Sequence, residues 1–312
     1  MTVRPFDWRD LPALNRFRHS SVYLDSALVL TRGPLLVPGA LLSYLAPGVG
    51  VFTCVVNGDE SGDDSLIGQF IHSLGSQFAH LTFLTPEAAL ESASVFELLE
   101  HMALLSGERG SLRLIADVDE RTQAFEALRR GGFAIYSRQR IWQLVTPLSR
   151  ATKANTWRMS RSRDAIAIRS LYNNLVPGLV QQVEPYAMQH PKGMVYYQDD
   201  ELLAFVEFRY GHRGIWVQPF VHPDAEVVAE HLLDLLQKTP NRFSRPMYIC
   251  IRSYQSWLES TIEDLGAEAG PRQAVMVKHL AVAQKAARSF ALPALDAGQP
   301  EVTAPIARSE NK

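Results

Sequence analysis

Apolar residues in the first half of the chain follow helix-like and strand-like spacing in turn. Leu11, Leu14 and Phe17 share one helical face behind Asp7 and Asp10, two residues that suit a helix start. Proline and glycine interrupt the apolar segment from residue 26 to 47, so only short helices are expected there. The other predicted elements are the strands Thr2–Phe6, Val51–Val56, Leu66–Ser73, Ala79–Leu84 and Leu112–Val118, the helices Val95–Met102 and Arg121–Arg130, and a final strand or hairpin over Phe133–Val145.

The second half of the chain repeats this order of elements. The predicted elements are a short strand at Trp157–Ser160, the helix Asp164–Asn174, the strands Met194–Gln198, Leu202–Tyr210 and Ile215–Val221, a helix carrying Val228, Leu232, Leu235 and Leu236, the strand Tyr248–Ile251, the helix Trp257–Leu265 and the strand Ala274–Leu280. Each half therefore predicts an α/β (α+β) domain with one mixed, mostly antiparallel sheet flanked by helices.

Individual residues also recur between the two halves. Arg4, Asp10, Ala13 and Leu14 recur as Arg158, Asp164, Ala167 and Ile168, at a spacing of 154 (158 − 4). Leu114-Ile115-Ala116 recurs as Tyr248-Ile249-Cys250, and Gly132, Arg138 and Gln139 recur as Gly266, Arg272 and Gln273, at a spacing of 134 (272 − 138). We infer a duplicated domain. The predicted organisation is a domain at 1–147, a linker at 148–156, a second domain at 157–283 and a disordered tail at 284–312.

Composition and charge restrict the classes of partner. The formal net charge of −2 provides no field for nucleic acid or an anionic membrane. The most apolar stretch, Ala40–Val56, is broken by proline and glycine and is too short for a comfortable membrane span, and the first ten residues lack the pattern of a secretory signal. Cys54 and Cys250 lie in apolar strand-like runs and are expected to be free, buried thiols. These features predict a cytoplasmic protein with no nucleic-acid or membrane partner.

Two short motifs resemble those of the GCN5-related N-acetyltransferase (GNAT) family. The segment Leu128–Phe133 resembles the family's LYxxxGF ending, and Val221-His222-Pro223, before a helix with Ala229, Leu232 and Leu233, resembles its VxP…GxGxxLL start. The resemblance covers roughly residues 2–145 and 157–282. It implies two tandem GNAT-like domains, which could pack as an intramolecular pseudo-dimer. It also implies acyl transfer from acetyl-CoA or another acyl-CoA, as co-substrate, to a small-molecule or peptide amine.

In GNAT proteins, a glycine-rich loop before a helix binds the pyrophosphate of acyl-CoA through backbone N–H groups. Neither copy has these glycines. The first copy offers Ser92 and Ser94, whose hydroxyls could bind a phosphate or cap the following helix. In the second, the β-branched Val227 stands near a usual glycine, and the acidic Asp224 and Glu226 would repel a diphosphate. The cofactor-binding positions that the resemblance implies are Val221, Pro223, Val227, Val228, Ala229, Ser92 and Ser94.

The resemblance also implies two catalytic positions, both in the second copy. GNAT enzymes commonly use a tyrosine after the fifth strand to protonate the departing thiolate, and Tyr254 is nearest to that position. Glu207, on the predicted strand Leu202–Tyr210, is a candidate base for the acceptor amine. Each has an alternative interpretation: Tyr254 as a surface aromatic at a helix start, and Glu207 as a solvent-facing strand residue.

The alternative function is a non-catalytic GNAT-like scaffold, or a ligand- or partner-binding protein, that has lost acyl-CoA binding. The apolar segment Leu35–Pro47 could then line a pocket or meet a partner, or could simply cover the sheet.

The histidine-containing pairs of the sequence do not indicate a metal site. The pairs Glu100-His101 and Glu230-His231 lack the spacing of helical zinc ligands, so no metal site is predicted.

Overall fold

A computed structural model describes residues 2–56, 65–144, 157–186, 192–225, 228–239 and 244–280. The predicted linker 148–156, the predicted tail 284–312 and Val227 lie outside these residues. The side chain of Val228 is also outside the described part of the chain.

The N-terminal half follows the predicted order of elements, with one added strand, β2. Every residue of β3 is buried, because helices cover both faces of the sheet there. The segment after Gly132 forms one long strand rather than a hairpin. The elements are β1 Val3–Pro5, α1 Leu11–Arg16, β2 Val22–Tyr23, α2 Ser26–Arg32, α3 Leu36–Leu45, β3 Val51–Val56, β4 Leu66–Ile71, β5 Phe78–Thr85, α4 Ser94–Glu108, β6 Arg113–Asp119, α5 Gln123–Arg130 and β7 Ala134–Leu144.

The C-terminal half also keeps the predicted order, with one added helix, α7. Its last strand begins at Ala267, seven residues before the predicted Ala274. The elements are β8 Trp157–Met159, α6 Ala165–Leu175, α7 Gly178–Val183, β9 Gly193–Gln198, β10 Glu201–Tyr210, β11 Ile215–Val221, α8 Val228–Lys238, β12 Met247–Arg252, α9 Leu258–Asp264 and β13 Ala267–His279. The mixed α/β fold class is thus confirmed in both halves.

The described strands of the two halves form one sheet, and the halves exchange their last strands. The strand order is β1-β3-β4-β5-β6-β13-β7-β12-β11-β10-β9-β8, with β2 paired to β5. Strand β13 of the C-terminal half lies between β6 and β7, and β7 of the N-terminal half lies between β13 and β12. Each half therefore depends on a strand of the other to extend its own sheet.

A local two-fold relation lies between the exchanged strands. Gln139 on β7 stands directly opposite Gln273 on β13, and the Gln139 Nε2 donates to the Gln273 Oε1 at 2.9 Å. These two glutamines are equivalent residues of the repeat at the spacing of 134. An antiparallel pair of equivalent residues is what a two-fold arrangement of duplicated domains requires.

The repeat predicted between Leu114-Ile115-Ala116 and Tyr248-Ile249-Cys250 is wrong by one residue. Leu114 and Ala116 of β6 are buried against α4 and α5, whereas Ile249 of β12 is buried on the matching face against α8 and α9. Ala116 therefore corresponds to Ile249, at a spacing of 133 (249 − 116) rather than 134. Side chains alternate between the faces of a strand, so a slip of one residue pairs a core position with a position on the opposite face.

Helices cover both faces of the shared sheet and divide its core into four apolar clusters. On one face, the cluster under α4 and α5 and the cluster under α8 and α9 each belong to one half. On the other face, α1 and α3 pack on the N-terminal strands, and α6 and α7 pack on the C-terminal strands and on β13. No single described helix is long and apolar enough to cross a membrane, and α2 with α3 reaches the length only as a pair bent by 102°.

The residues that recur at a spacing of 154 include a repeated ion pair. Arg4 donates to both carboxylate oxygens of Asp10 at 2.7 and 2.6 Å, and Arg158 donates to both oxygens of Asp164 at 2.7 Å. In each half the carboxylate also accepts a backbone N–H three residues upstream, at 2.8 Å. Asp164 alone accepts a further bond from Tyr197, at 3.1 Å.

We predict that Asp164→Asn lowers the free energy of unfolding at pH 7 by about 2–4 kcal/mol, because a buried acceptor of four hydrogen bonds loses its charge. The Arg158 hydrogen bonds hold the pKa of Asp164 well below its ordinary value. A depressed pKa stabilises the folded state above the unfolded-state pKa, about 4, and this contribution is lost as the pH falls.

Urea unfolding of the wild type and the variant at pH 7 and at lower pH measures this difference, which should shrink as the pH falls. Asp10→Asn is the matched comparison, because Asp10 is 9% exposed against 2% for Asp164 and lacks the tyrosine bond. A smaller loss is expected there. Equal losses, or none, would contradict the prediction.

Candidate functional site

The N-terminal half contains a gap between diverging parallel strands, and its own chain fills that gap. Strands β5 and β6 pair only from Phe78 to His80 and then separate. The added strand β2 pairs with β5 in this gap. Just beyond it, the Leu24 N–H donates to the Thr82 carbonyl at 2.9 Å and the Leu24 carbonyl accepts from Asp117 N–H at 2.8 Å. Backbone groups that a ligand between the strands would need are therefore already bonded.

The two serines predicted as phosphate contacts lie beside this filled gap. Ser92 is exposed, and its hydroxyl donates to the Ala89 carbonyl at 2.7 Å. Ser94 is the first residue of α4. The helix cap is Ala93, which provides no side-chain bond, so the alternative that a serine occupies the cap position is wrong. With β2 in the gap, neither serine faces an open acyl-CoA groove between β5 and β6.

The corresponding gap in the C-terminal half is not filled by any strand of the described residues. Strands β11 and β12 pair from Ile215 to Val217 and then separate. The buried side chain of Gln255 reaches across the gap, and its Nε2 donates to the Pro219 carbonyl at 3.3 Å. The Gln255 Oε1 is buried and has no hydrogen-bond partner among the described residues. A bound N–H group in this gap would satisfy it.

The predicted cofactor-binding residues at the end of β11 and in the loop after it differ in their exposure. The Val221 side chain is buried in the cluster under α8 and α9, so only its backbone could contact a ligand. Pro223 and Ala229 are exposed. The Ala225 N–H donates to the His222 carbonyl at 3.0 Å, which closes a local turn. Val228 begins α8, and Val227 lies outside the described residues.

A cavity of about 900 Å³ with several charged side chains in its walls lies on the α2 and α6–α7 face of the shared sheet, beside both gaps. Both halves contribute to its walls. The N-terminal half supplies Asp25, His80 and Asp117, and the segment Ser73–Phe78. The C-terminal half supplies side chains of α6, β10, β11 and β12 and the segment after α7; these are Tyr172, Glu184, Pro185, Tyr186, Glu207, Arg209, Trp216, Gln218, Phe220 and Arg252. We call this space the central cavity.

A buried ion pair of the C-terminal half, between Glu184 and Arg252, lies at the central cavity and is bonded to the N-terminal half through Tyr136. The Arg252 Nη2 lies 3.1 Å from the Glu184 Oε1, which also accepts a hydrogen bond from the Tyr136 hydroxyl on β7. Burial favours the neutral acid, but Arg252 and Tyr136 outweigh it and lower the pKa of Glu184 below its ordinary value. Glu184 is therefore ionised at neutral pH and neutralises Arg252.

Glu207, the predicted base, also faces the central cavity. It is 8% exposed, so its alternative interpretation as a solvent-facing residue is wrong. Its Oε1 accepts a hydrogen bond from the Arg209 Nε at 3.0 Å. Glu207 stands directly opposite Gln218 on β11, one residue before Pro219 at the C-terminal gap.

Two carboxylates from the N-terminal half lie in the same cavity. Asp25 caps the N-terminus of α2, where its side chain accepts the Leu28 N–H at 2.9 Å. Burial and the neighbouring Asp25 raise the pKa of Asp117 to about 6, against the opposing effects of Arg252 and His80. Sequence analysis did not select Asp25, Asp117, Glu184, Trp216, Arg252 or Gln255 as site residues.

Tyr254, the predicted acid, lies between Arg252 and Gln255 but is not among the residues that line the central cavity. It is partly buried against the cluster that includes Tyr172 of α6. Burial raises its pKa, so the hydroxyl keeps its proton at neutral pH. Its catalytic role stays a prediction.

Two further features of the described residues concern metal ligands and thiols. No group of three or more histidine, cysteine, aspartate or glutamate side chains there could hold a metal ion. Cys54 and Cys250 are free and buried, as predicted, and burial raises the pKa of each thiol to about 12. Neither thiol is a nucleophile at neutral pH.

Solved structures similar to this fold include GNAT proteins. A GCN5-related N-acetyltransferase from Sphaerobacter thermophilus has 10% sequence identity and a TM-score of 0.53, over 89% of this chain and 95% of that one. A tandem GNAT protein from the clavulanic acid biosynthesis pathway, solved without acetyl-CoA, has 13% identity and a TM-score of 0.52, over 89% of this chain and 98% of that one. The chain therefore has the tandem GNAT fold.

The sequence itself has no comparable match. It matches no protein-family model and no curated protein. The fold is therefore the property shared with these proteins, and the chemistry must be argued from the residues of the site.

Proposed function

We propose that the C-terminal half is an acyl-CoA-dependent N-acyltransferase and that the acceptor amine binds in the central cavity. One observation carries the proposal. The gap between β11 and β12 has no strand in it among the described residues and adjoins a cavity with buried charges, whereas β2 fills the equivalent N-terminal gap. The acetyltransferases named among the structural neighbours support the same class of reaction.

Acetyl-CoA or another acyl-CoA would lie along the C-terminal gap as co-substrate. The Gln255 Oε1 would accept an amide N–H of its pantetheine arm, and this bond would satisfy a buried acceptor. The following loop lacks the usual glycines and carries Asp224, so the pyrophosphate would be held weakly. We therefore expect most of the affinity to come from the pantetheine arm.

The reaction would proceed by direct transfer. The amine nitrogen attacks the thioester carbonyl carbon, a C–N bond forms and the C–S bond breaks. Glu207 takes the proton from the amine, and Tyr254 gives a proton to the departing thiolate. The raised pKa of Tyr254 keeps its hydroxyl protonated before transfer.

A second candidate is a ligand-binding protein without catalysis. The hydrogen bond from Gln255 to the Pro219 carbonyl spans the C-terminal gap and favours this alternative, as does the acidic loop. In this case the two halves would serve as a fixed pseudo-dimer around the central cavity. Binding of acetyl-CoA distinguishes the two candidates.

We predict that acetyl-CoA raises the melting temperature of the full-length protein by about 5 °C at roughly 100 times its Kd. Gln255→Leu should remove most of this shift, because it deletes the amide that faces the gap. Differential scanning fluorimetry measures both effects. The matched control is Gln123→Leu on α5 of the N-terminal half, where the Gln123 amide donates to exposed Glu91.

No shift at millimolar acetyl-CoA would favour the non-catalytic candidate. A full shift in Gln255→Leu would place acyl-CoA somewhere other than the gap between β11 and β12.

A further inference from the structure

Three side chains of the central cavity carry buried hydrogen-bond donors with no partner among the described residues. They are the Trp216 Nε1, the Tyr186 hydroxyl, and the Nε and Nη1 of Arg252. Trp216 is only 3% exposed, and the Arg252 side chain is 10% exposed. Indole and guanidinium nitrogens can only donate, so a bound group must supply acceptor oxygens to satisfy them.

All three donors belong to the C-terminal half. Trp216 lies on β11, Arg252 ends β12, and Tyr186 follows α7. A carboxylate provides several acceptor sites in one plane and suits this set of donors. Glu184 already occupies the Nη2 of Arg252, so the ligand would meet its two other nitrogens.

The N-terminal wall of the same cavity carries carboxylates instead of unpaired donors. In the described residues, Glu184 pairs with Arg252 and Glu207 pairs with Arg209, so these four charges cancel. Asp25 and Asp117 have no lysine or arginine ion pair at this wall within the described chain. A ligand with an ammonium group would balance them, whereas a phosphate dianion would be repelled.

We propose that the central cavity binds an amino-acid-like zwitterion, with its carboxylate at Trp216, Tyr186 and Arg252 and an ammonium group toward Asp25 and Asp117. The apolar rings of Phe78 and Phe220 would contact the carbon chain. The inference rests on the proposed function only in calling this ligand the acceptor. Amines without a carboxylate, such as polyamines, would leave the donors of the C-terminal wall unsatisfied.

The test compares ligands that differ only in the carboxylate. Calorimetry on the full-length protein would use the twenty common L-amino acids and ornithine, together with the decarboxylated amine of each one that binds; for ornithine, lysine and histidine these are putrescine, cadaverine and histamine. We expect at least one amino acid to bind, and its decarboxylated form to bind about 10- to 100-fold more weakly. Equal or tighter binding of the amines, or no binding by any amino acid, would overturn the proposal.

A matched pair of tryptophan variants tests the donor itself. Trp216→Phe keeps the ring and removes the N–H, and it should weaken amino-acid binding about 10-fold without lowering the melting temperature of the free protein. Trp142→Phe is the control, because the Trp142 Nε1 is also buried without a partner but lies in the cluster under α8 and α9. Equal effects of the two variants on binding would contradict the assignment.

Acetyl-CoA binding separates this inference from the proposed function. A protein that binds acetyl-CoA but no amino acid would retain the proposed reaction and refute the zwitterion. A protein that binds an amino acid but not acetyl-CoA would retain the cavity assignment and refute the acyltransferase.

Discussion

Glu207→Gln is expected to reduce the rate of acyl transfer about 10²- to 10⁴-fold, the usual effect of removing a general base. Glu207 is the carboxylate of β10 that faces the central cavity, opposite Gln218 at the edge of the C-terminal gap. Glutamine keeps the size of the side chain and can still accept a bond from Arg209. The loss should therefore fall on kcat, with a small change in KM for acetyl-CoA.

The pH dependence distinguishes a base from a positioning residue. Without Glu207, only the amine that is already deprotonated can react, so the residual rate should rise with pH up to the pKa of the acceptor amine. Steady-state kinetics with the amine found by calorimetry, from pH 6 to 10, would measure this rise. A fall of kcat with an unchanged pH profile would assign Glu207 a positioning role.

Glu201→Gln is the matched control on the same strand. Glu201 begins β10 and is exposed, so its replacement should leave the rate unchanged. If Glu207→Gln retained full activity, the base would be another group, and the direct transfer proposed above would need revision.

The order of elements could be predicted because each is a local pattern. Helical faces and apolar runs determine helices and strands within a few residues, and the repeat of Arg4 and Asp10 reflects an ion pair that both halves keep. The exchange of β7 and β13 could not be predicted, because the sequence does not determine which of these two strands pairs with β6 and which with β12. Strand β2 was missed because a two-residue strand has no periodicity.

Part of the candidate site could have been predicted from charged residues within the apolar strands. Asp117, Glu207 and Arg252 each interrupt or end an otherwise apolar strand of a buried sheet. A charge at such a position is costly unless it is paired or faces a ligand cavity, and this signal was not used: Glu207 was selected from the family resemblance instead. Trp216 gave no signal, because a tryptophan in a strand is most often core.

The apolar segment Leu35–Pro47 covers the N-terminal sheet and does not line the central cavity. It forms α3, whose residues Leu36 and Ala40 are buried against Val55 and Ile67 of the N-terminal sheet. The wall of the cavity comes instead from the residue before α2 and from α2 itself, a helix that crosses onto the C-terminal half.

Helix α2 is held to the C-terminal half at a turn where only glycine fits. Gly211 follows β10, and a Cβ there would lie 2.0 Å from the Thr31 carbonyl oxygen and 2.4 Å from its carbon. These atoms are backbone of α2 and cannot move without shifting the helix. The neighbouring Arg213 N–H donates to the same carbonyl at 2.9 Å, so the turn and the helix are directly bonded.

We therefore predict that Gly211→Ala lowers the free energy of unfolding by about 3 kcal/mol, because the added methyl group overpacks backbone atoms and breaks the Arg213 bond. Displacement of α2 would also move Asp25, which precedes it, and so weaken the binding of any ligand in the central cavity. Urea unfolding and calorimetry measure the two effects separately.

Gly107→Ala is the matched control for this substitution. A Cβ at Gly107, in the last turn of α4, would meet no atom within 4 Å. Alanine favours a helix over glycine, so this variant should gain about 0.5 kcal/mol of stability and leave ligand binding unchanged. If Gly211→Ala were as stable as Gly107→Ala, α2 would not be fixed to the C-terminal half at this turn, and the central cavity would have a movable wall.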